Sequence, residues 1–321
     1  MSGPPPRPVG RLPVTVIGGY LGAGKTTLVN RLLRAADGRR LAVLVNDFGA
    51  TPIDRDLIVS SAGDTLEISG GCVCCSYGSD LMEALMALPD QRTDIERVVL
   101  ETSGVALPGM VASAVTLLLP YRIDGIVVMA DVETVRTQAN DAYLGDTILR
   151  QLSSADLVVA NRCDLVDEAS LQETLAWLGA ESPAARIVPA IRADIAPELL
   201  LGLRDDGKPR LSNTLTTPGA PDAASLYQSL ELDLPADIDV MELARRLTAP
   251  DIGVLRAKGI LLQPDGRLVA LHVVGQRFEI DAAPAAATPG KLVVIGLRTR
   301  LDRRAVEQAL QPRLSTSLRS A

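Results

Sequence analysis

Short apolar runs recur through the first two-thirds of the chain, at residues 13–17, 41–45, 98–101, 123–130, 157–160 and 186–189. Several are apolar at consecutive positions, as in Ile126-Val127-Val128-Met129. Such runs predict central strands of a parallel sheet covered on both faces, since a half-solvated strand would alternate. Helical stretches separate them, and the repeated βα order predicts a doubly wound, mostly parallel α/β domain over residues 12–203. Between 204 and 224 the pattern lapses into Asp, Gly, Pro, Ser, Asn and Thr, which reads as a linker. A second, smaller α+β domain follows over 225–321. It reads as a strand at 226–232, a helix at 238–247, strands around 258–263, 267–274 and 291–297, and a last helix from Arg303. Pro264-Asp265-Gly266 is a hairpin turn signal. Residues 1–11 are rich in Pro and Gly without an apolar core and read as a flexible leader, and the Ala/Pro stretch 282–289 reads as a loop.

Charge and cysteine usage narrow the functional classes. The net charge of −7, with no basic block, argues against a nucleic-acid partner. No run approaches the roughly 18 apolar residues that span a bilayer, so no membrane partner is expected. Of four cysteines, three fall within residues 72–75. A secreted disulfide scaffold would distribute them, so the pattern points to a reducing cytoplasm and to metal or redox chemistry.

The strand at 13–17 runs into Gly19-Tyr20-Leu21-Gly22-Ala23-Gly24-Lys25-Thr26 and then a helical stretch at 26–34. This satisfies G-x-x-x-x-G-K-[ST] in the strand–loop–helix context that the motif requires, and so predicts a P-loop NTPase. Backbone N–H groups of Gly19, Gly22, Ala23 and Gly24 converge on phosphate oxygens, and the helix N-terminus adds positive potential. Lys25 then reaches the β- and γ-phosphates, and the Thr26 hydroxyl ligates Mg²⁺. After the strand at 157–160 comes Asn161-Arg162-Cys163-Asp164, close to the guanine-reading spelling N-K-x-D. A carboxylate at Asp164 accepts from the two guanine donors that adenine lacks, which selects GTP. A polar helix cap is the competing explanation for the same residues. Glu101-Thr102-Ser103-Gly104 ends the strand at 98–101 beside the P-loop. Glu101 is placed for magnesium-water contacts, and Gly104 for close approach of its N–H to the γ-phosphate. No general base stands out, so slow intrinsic turnover is expected.

Gly70-Gly71-Cys72-Val73-Cys74-Cys75 lies between the P-loop and Glu101, where nucleotide-sensing segments occur. Thiolates suit Zn²⁺ or Cu(I), and Cys72, Cys74 and Cys75 supply three of four tetrahedral positions. Reversible thiol oxidation and simple packing compete with the metal reading. Cys163 reads as a packing residue, and His272, the sole histidine, as a structural or surface one.

Together these residues resemble the CobW-like family of metallochaperone GTPases, relatives of the nickel-inserting GTPases for urease and hydrogenase. Its phosphate loop matches residues 19–27, adding Thr27 to the nucleotide set. Its C-x-C-C motif matches 71–75, and its E-T-x-G segment matches 101–104 with Ala106 and Pro108. Its N-E-x-G segment matches Asn46-Asp47-Phe48-Gly49, then Ile53-Asp54. In the second domain, Arg256-Ala257-Lys258-Gly259-Ile260 and Ile295-Gly296 are similar to the family's small C-terminal sheet. The resemblance implies GTP- and Mg²⁺-dependent delivery of a metal, Zn²⁺ or Co²⁺, from Cys72, Cys74 and Cys75 to a client metalloprotein. It also implies a carboxylate at Asp47 in contact with metal or magnesium, and it leaves a homo-oligomer open. A nucleotide-regulated protein that activates a client without carrying metal is the alternative. Three features depart from the family pattern: Asp47 replaces Glu, Arg162 replaces Lys, and a single histidine stands where many members carry a His-rich stretch.

Overall fold

The computed structural model describes residues 11–36, 39–45, 79–202, 226–235, 238–263, 265–283 and 289–311. Strands β1 (Leu12–Gly19), β2 (Leu41–Val45), β3 (Arg97–Glu101), β4 (Tyr121–Asp131), β5 (Leu157–Asn161) and β6 (Arg186–Pro189) form one sheet in the order β2-β3-β1-β4-β5-β6. Every pairing in it is parallel. The consecutive apolar runs are buried on both faces, as their lack of alternation predicts. In β4, Val127 and Met129 enter one core while Ile126, Val128 and Ala130 enter the other.

Helices α2 (Ser79–Gln91), α3 (Pro108–Thr116), α4 (Val135–Ala139), α5 (Gly145–Ser153) and α6 (Glu168–Glu181) cover the second of these faces. Leu85, Val111, Val135, Ile148 and Leu178 are their contributions to its core. The first face is covered by α1 (Lys25–Arg34), through Leu28, Val29 and Leu32, and by the single turn α7 (Glu198–Leu201). The same core continues into a second sheet through Tyr227, Leu255, Val293 and Ile295.

That second sheet comprises β7 (Tyr227–Asp233), β8 (Val254–Leu262), β9 (Leu268–Val274), β10 (Arg277–Ala282) and β11 (Lys291–Leu297), in the antiparallel order β10-β9-β8-β11-β7. Alternation along β11 explains how it is used. Leu292 and Val294 join the core under α8 (Val240–Leu247) and α9 (Arg303–Ala309), while Val293 and Ile295 face the first unit. The expected helix at 238–247 starts at Val240, because the Asp239 side chain accepts from Glu242 N and caps it. The strand expected around 258–263 starts four residues earlier, at Val254. Strand β10 is an addition to the sequence expectation. Its Arg277-Phe278-Glu279-Ile280-Asp281-Ala282 alternates around only two large apolar residues, and as an edge strand it needs no more. The expected linker at 204–224 lies outside the described residues, and no described helix is long and apolar enough to cross a membrane.

Two β-bulges bring the sheets into register with each other. In β4 the pairing with β1 jumps from Val14↔Ile123 to Thr15↔Gly125, which leaves Asp124 as the extra residue. In β8 the pairing with β11 jumps from Ile295↔Arg256 to Gly296↔Val254, so Leu255 and Arg256 both turn toward the first unit. Bulges re-aim side chains in this way. The result is a buried ion cluster: Asp124 Oδ2 accepts from Arg97 Nη1 at 2.5 Å and Arg256 Nη2 at 2.5 Å, and Oδ1 accepts from Arg122 Nη1 at 3.0 Å. Arg256 Nη1 also donates to Leu199 O at 2.9 Å.

Candidate functional site

The site is built where β1, β3, β4 and β5 end, at the point where the chain order reverses on either side of β1. Ligands of open α/β sheets bind at such a point. β1 ends at Gly19 and α1 begins at Lys25, so the five backbone positions between strand and helix form the loop itself. Gly24 caps α1 with φ +105°, and a Cβ there would stand 2.6 Å from Asn161 Nδ2. Only glycine serves at this position, for both the left-handed backbone and the close approach.

Lys25 is buried, and its Nζ donates to Tyr20 O at 3.3 Å, so the side chain curls over its own loop. The Thr26 hydroxyl donates to Glu101 Oε1 at 3.0 Å, joining the first turn of α1 to the end of β3. Thr27, the next residue, is exposed. The segment after Glu101 is fixed to β1 by Thr102 N donating to Ile17 O at 2.9 Å. It folds back so closely on the loop that a Cβ on Gly104 would lie 2.5 Å from Leu21 Cδ2 and 2.8 Å from Leu21 N. The structure therefore brings Lys25, Thr26, Glu101 and Gly104 together at the end of β1.

Asn161 is buried and works as a brace. Its Nδ2 donates to Ala23 O at 2.9 Å, and its Oδ1 accepts from Ala193 N at 2.7 Å. It thus ties the phosphate loop to the segment after β6, where Arg192 and Ala193 both take positive φ. Arg162 adopts φ +65°, and its fork spans two acceptors: Nη1 donates to Asp131 Oδ2 at 2.7 Å and Nη2 to Gly22 O at 3.0 Å. A lysine could not span both as a rigid fork. Cys163 packs half-buried, its Sγ donating to Ala160 O at 3.1 Å, and burial pushes its thiol pKa up, away from reactivity. Asp164 follows on a short turn over Cys163–Leu165 and is exposed.

Several residues in this arrangement escape a motif reading. Asp131 is one place past the end of the apolar run at 123–130, directly across from Asn161 in the β4–β5 register. Ala193 takes part through its backbone N–H, which no residue type signals. Gln151 is a polar residue on the apolar stripe of α5, and that irregularity is visible in the sequence. Cys72, Cys74, Cys75 and Asp47 lie outside the described residues. Among the described residues no group of three or more His, Cys, Asp or Glu side chains is placed to hold a metal.

The nucleotide-binding domain model described as CobW/HypB/UreG matches residues 13–189, which is more than half of the chain. The chain belongs to the CobW family. The family's C-terminal domain, described as that of the cobalamin synthesis protein cobW, matches residues 227–314. The zinc chaperone CobW of Pseudomonas aeruginosa is 30% identical, in an alignment covering 98% of this chain and 94% of that protein. The zinc chaperone YjiA of Escherichia coli is also 30% identical, covering 77% of this chain and 81% of its own length. A zinc-regulated GTPase metalloprotein activator of Schizosaccharomyces pombe is 32% identical over 50% of this chain and 41% of that protein.

Oxygen donors from Thr26 and Glu101, 3.0 Å apart at a helix N-terminus, form the hard ligand set that Mg²⁺ takes. The family's phosphate loop and this donor pair thus fit a magnesium nucleotide.

Proposed function

We propose that this CobW-family chain is a GTP-hydrolysing metal chaperone that delivers zinc, or cobalt, to a client metalloprotein. The observation that supports it best is the contact of Thr26 with Glu101 beneath a P-loop braced by Asn161. In this reading Gly19, Gly22, Ala23, Gly24 and Thr27 bind phosphate through the backbone and the start of α1. Lys25 turns from Tyr20 O to the β- and γ-phosphates, which present a stronger acceptor than a neutral carbonyl. Thr26 and Glu101 hold Mg²⁺, which when bound neutralises charge on the phosphates. Gly104 offers its N–H to the γ-phosphate, and Asp164 accepts from the guanine edge while Arg162 and Asn161 hold the surrounding loops. The arrangement positions and stabilises charge, which is most of what phosphoryl transfer needs from a protein.

The transferred metal is cargo. Cys72, Cys74 and Cys75 are its soft donors in this proposal, with Asp47 as a further carboxylate near metal or magnesium; composition and spacing support them. The names of the P. aeruginosa and E. coli relatives favour zinc. Native mass spectrometry tests the cargo: about one Zn²⁺ per chain in the wild type, absent from the Cys72→Ser/Cys74→Ser/Cys75→Ser variant, is expected. Retention of the metal in that variant removes the thiols from the proposal. Competition of ATP against labelled GTP tests the base, and equal affinities would remove Asp164 from its role.

A further inference from the structure

Gln151 belongs to none of the motifs described so far. It sits on α5 between Ile148 and Leu152, both in the apolar core, and is 1% exposed. An amide in such a place costs stability unless it is hydrogen-bonded. Its Nε2 donates to Gly104 O at 3.0 Å and to Ala106 O at 2.8 Å. Both carbonyls belong to the turn that follows Glu101, which Ala106 N closes by donating to Ser103 O at 3.1 Å. Gly104 is in turn pressed against Leu21 of the phosphate loop. It is caught between Leu21 on one side and the Gln151 amide on the other, so the peptide following Gly104 has one orientation open to it.

Resting on the GTPase reading above, we propose that Gln151 is a positioning residue for the triphosphate: it holds the Gly104 segment against the phosphate loop and so sets the preference for GTP over GDP. It touches no nucleotide. A ligand lacking the γ-phosphate makes no demand on Gly104, so the effect of Gln151 falls on the triphosphate alone. A residue that only fills the core would alter both ligands equally.

Two variants separate these cases. Gln151→Glu turns lone pairs toward two carbonyl oxygens and expels the segment, whereas Gln151→Met only withdraws the two donated bonds. With Mg²⁺ present at about pH 8, both variants should bind a labelled non-hydrolysable GTP analogue about tenfold more weakly, and labelled GDP within about twofold of wild type. At about pH 6 the introduced carboxyl, raised by burial and by the two carbonyls, regains a proton and donates one bond back. Analogue affinity should then recover in Gln151→Glu and stay low in Gln151→Met. A parallel loss for both ligands, an unchanged ratio, or absence of the pH recovery overturns the proposal. Failure of both variants to fold, seen by circular dichroism, also overturns it, since the residue would then be structural. If wild-type protein binds neither guanine nucleotide, the GTPase reading fails instead.

Discussion

Asp124 is the residue whose loss should cost the fold most for the fewest atoms changed. Its carboxylate is fully buried and accepts from three guanidinium groups, on Arg97, Arg122 and Arg256, whose side chains are 10%, 7% and 4% exposed. Burial by itself raises the Asp124 pKa, but Arg256, Arg97 and Arg122 outweigh it and hold the carboxyl well below its ordinary range. Burial likewise brings Arg97 down to about 10, against the pull of Asp124. Asp124→Asn keeps the shape and removes the one charge shared by all three arginines. Stranding buried charge in this way costs about 3–5 kcal/mol. For a chain of this size that lowers the melting temperature by roughly 10 °C.

Urea unfolding followed by circular dichroism measures the loss. Adding Arg256→Met to Asp124→Asn should cost less than Arg256→Met costs in the wild type, because the stranded cation is then removed. The pH dependence gives a second check. A depressed carboxylate pKa stabilises the fold above its unfolded value of about 3.9, and that stability is lost as pH falls through the folded value. The gap between wild type and Asp124→Asn should therefore hold from neutral pH to about pH 4 and narrow only below it. A cost under about 1 kcal/mol, or a gap that closes near neutrality, would show that the cluster is solvated and refute this account.

Gly24→Ala places a Cβ on Asn161 Nδ2 at a residue with φ +105°, so labelled-GTP titration should show at least about a tenfold loss of affinity. Asp164→Asn should weaken GTP by about tenfold or more and improve xanthosine triphosphate, whose 2-carbonyl accepts from the new amide, as read by competition binding. His272 lies in register between Lys258 and Glu279 and also faces Arg122, Asp124 and Arg256; burial, then Arg122, holds its pKa well below the ordinary value. Below about pH 6.5 the unfolded chain takes up a proton that folded His272 refuses, so stability declines by up to about 1.4 kcal/mol per pH unit. Glu279, whose pKa is raised by burial, acts in the opposite sense, so the comparison is with His272→Gln: the variant should lack this slope when denaturant midpoints are read between about pH 6.5 and 5.

The parts of this molecule legible in its sequence are those with strong local signals. Strands buried on both faces announce themselves as largely apolar runs, whereas the edge strand β6 is shorter and only partly buried. The phosphate loop is legible because its glycine spacing answers to backbone geometry, as at Gly24 with φ +105°. Strand β10 is not, because an edge strand half-covered by charge has the same composition as a loop. The roles of Asp124 and Arg256 were hidden for a different reason. Each is aimed by a β-bulge, and a bulge is a matter of register between strands distant in sequence. Gln151 lies between these cases: its polarity on an apolar helix stripe is visible, but its partners, Gly104 and Ala106, lie more than forty positions away.

The first sheet divides its residues by position along each strand. On β3, Arg97 at the start enters the ion cluster and Glu101 at the end meets Thr26. On β4, Asp124 does the former and Asp131 holds Arg162. On β1, Thr15 donates to Leu200 O while Gly19 opens the phosphate loop. Arg186, at the start of β6, donates to Ala249 O, and Asp156, just before β5, accepts from Arg277. The second unit thus docks on the amino-terminal halves of strands whose carboxyl ends carry the candidate nucleotide site. Four residue steps along β3 lead from Arg97 to Glu101, about 13 Å of strand. Parallel strands buried on both faces resist sliding, so they isolate the two ends better than they connect them. Asp124→Asn should accordingly lower stability while leaving GTP affinity and kcat of the folded fraction unchanged. If it alters the nucleotide constants in proportion to the stability lost, the two ends of the sheet are coupled and this separation of roles is wrong.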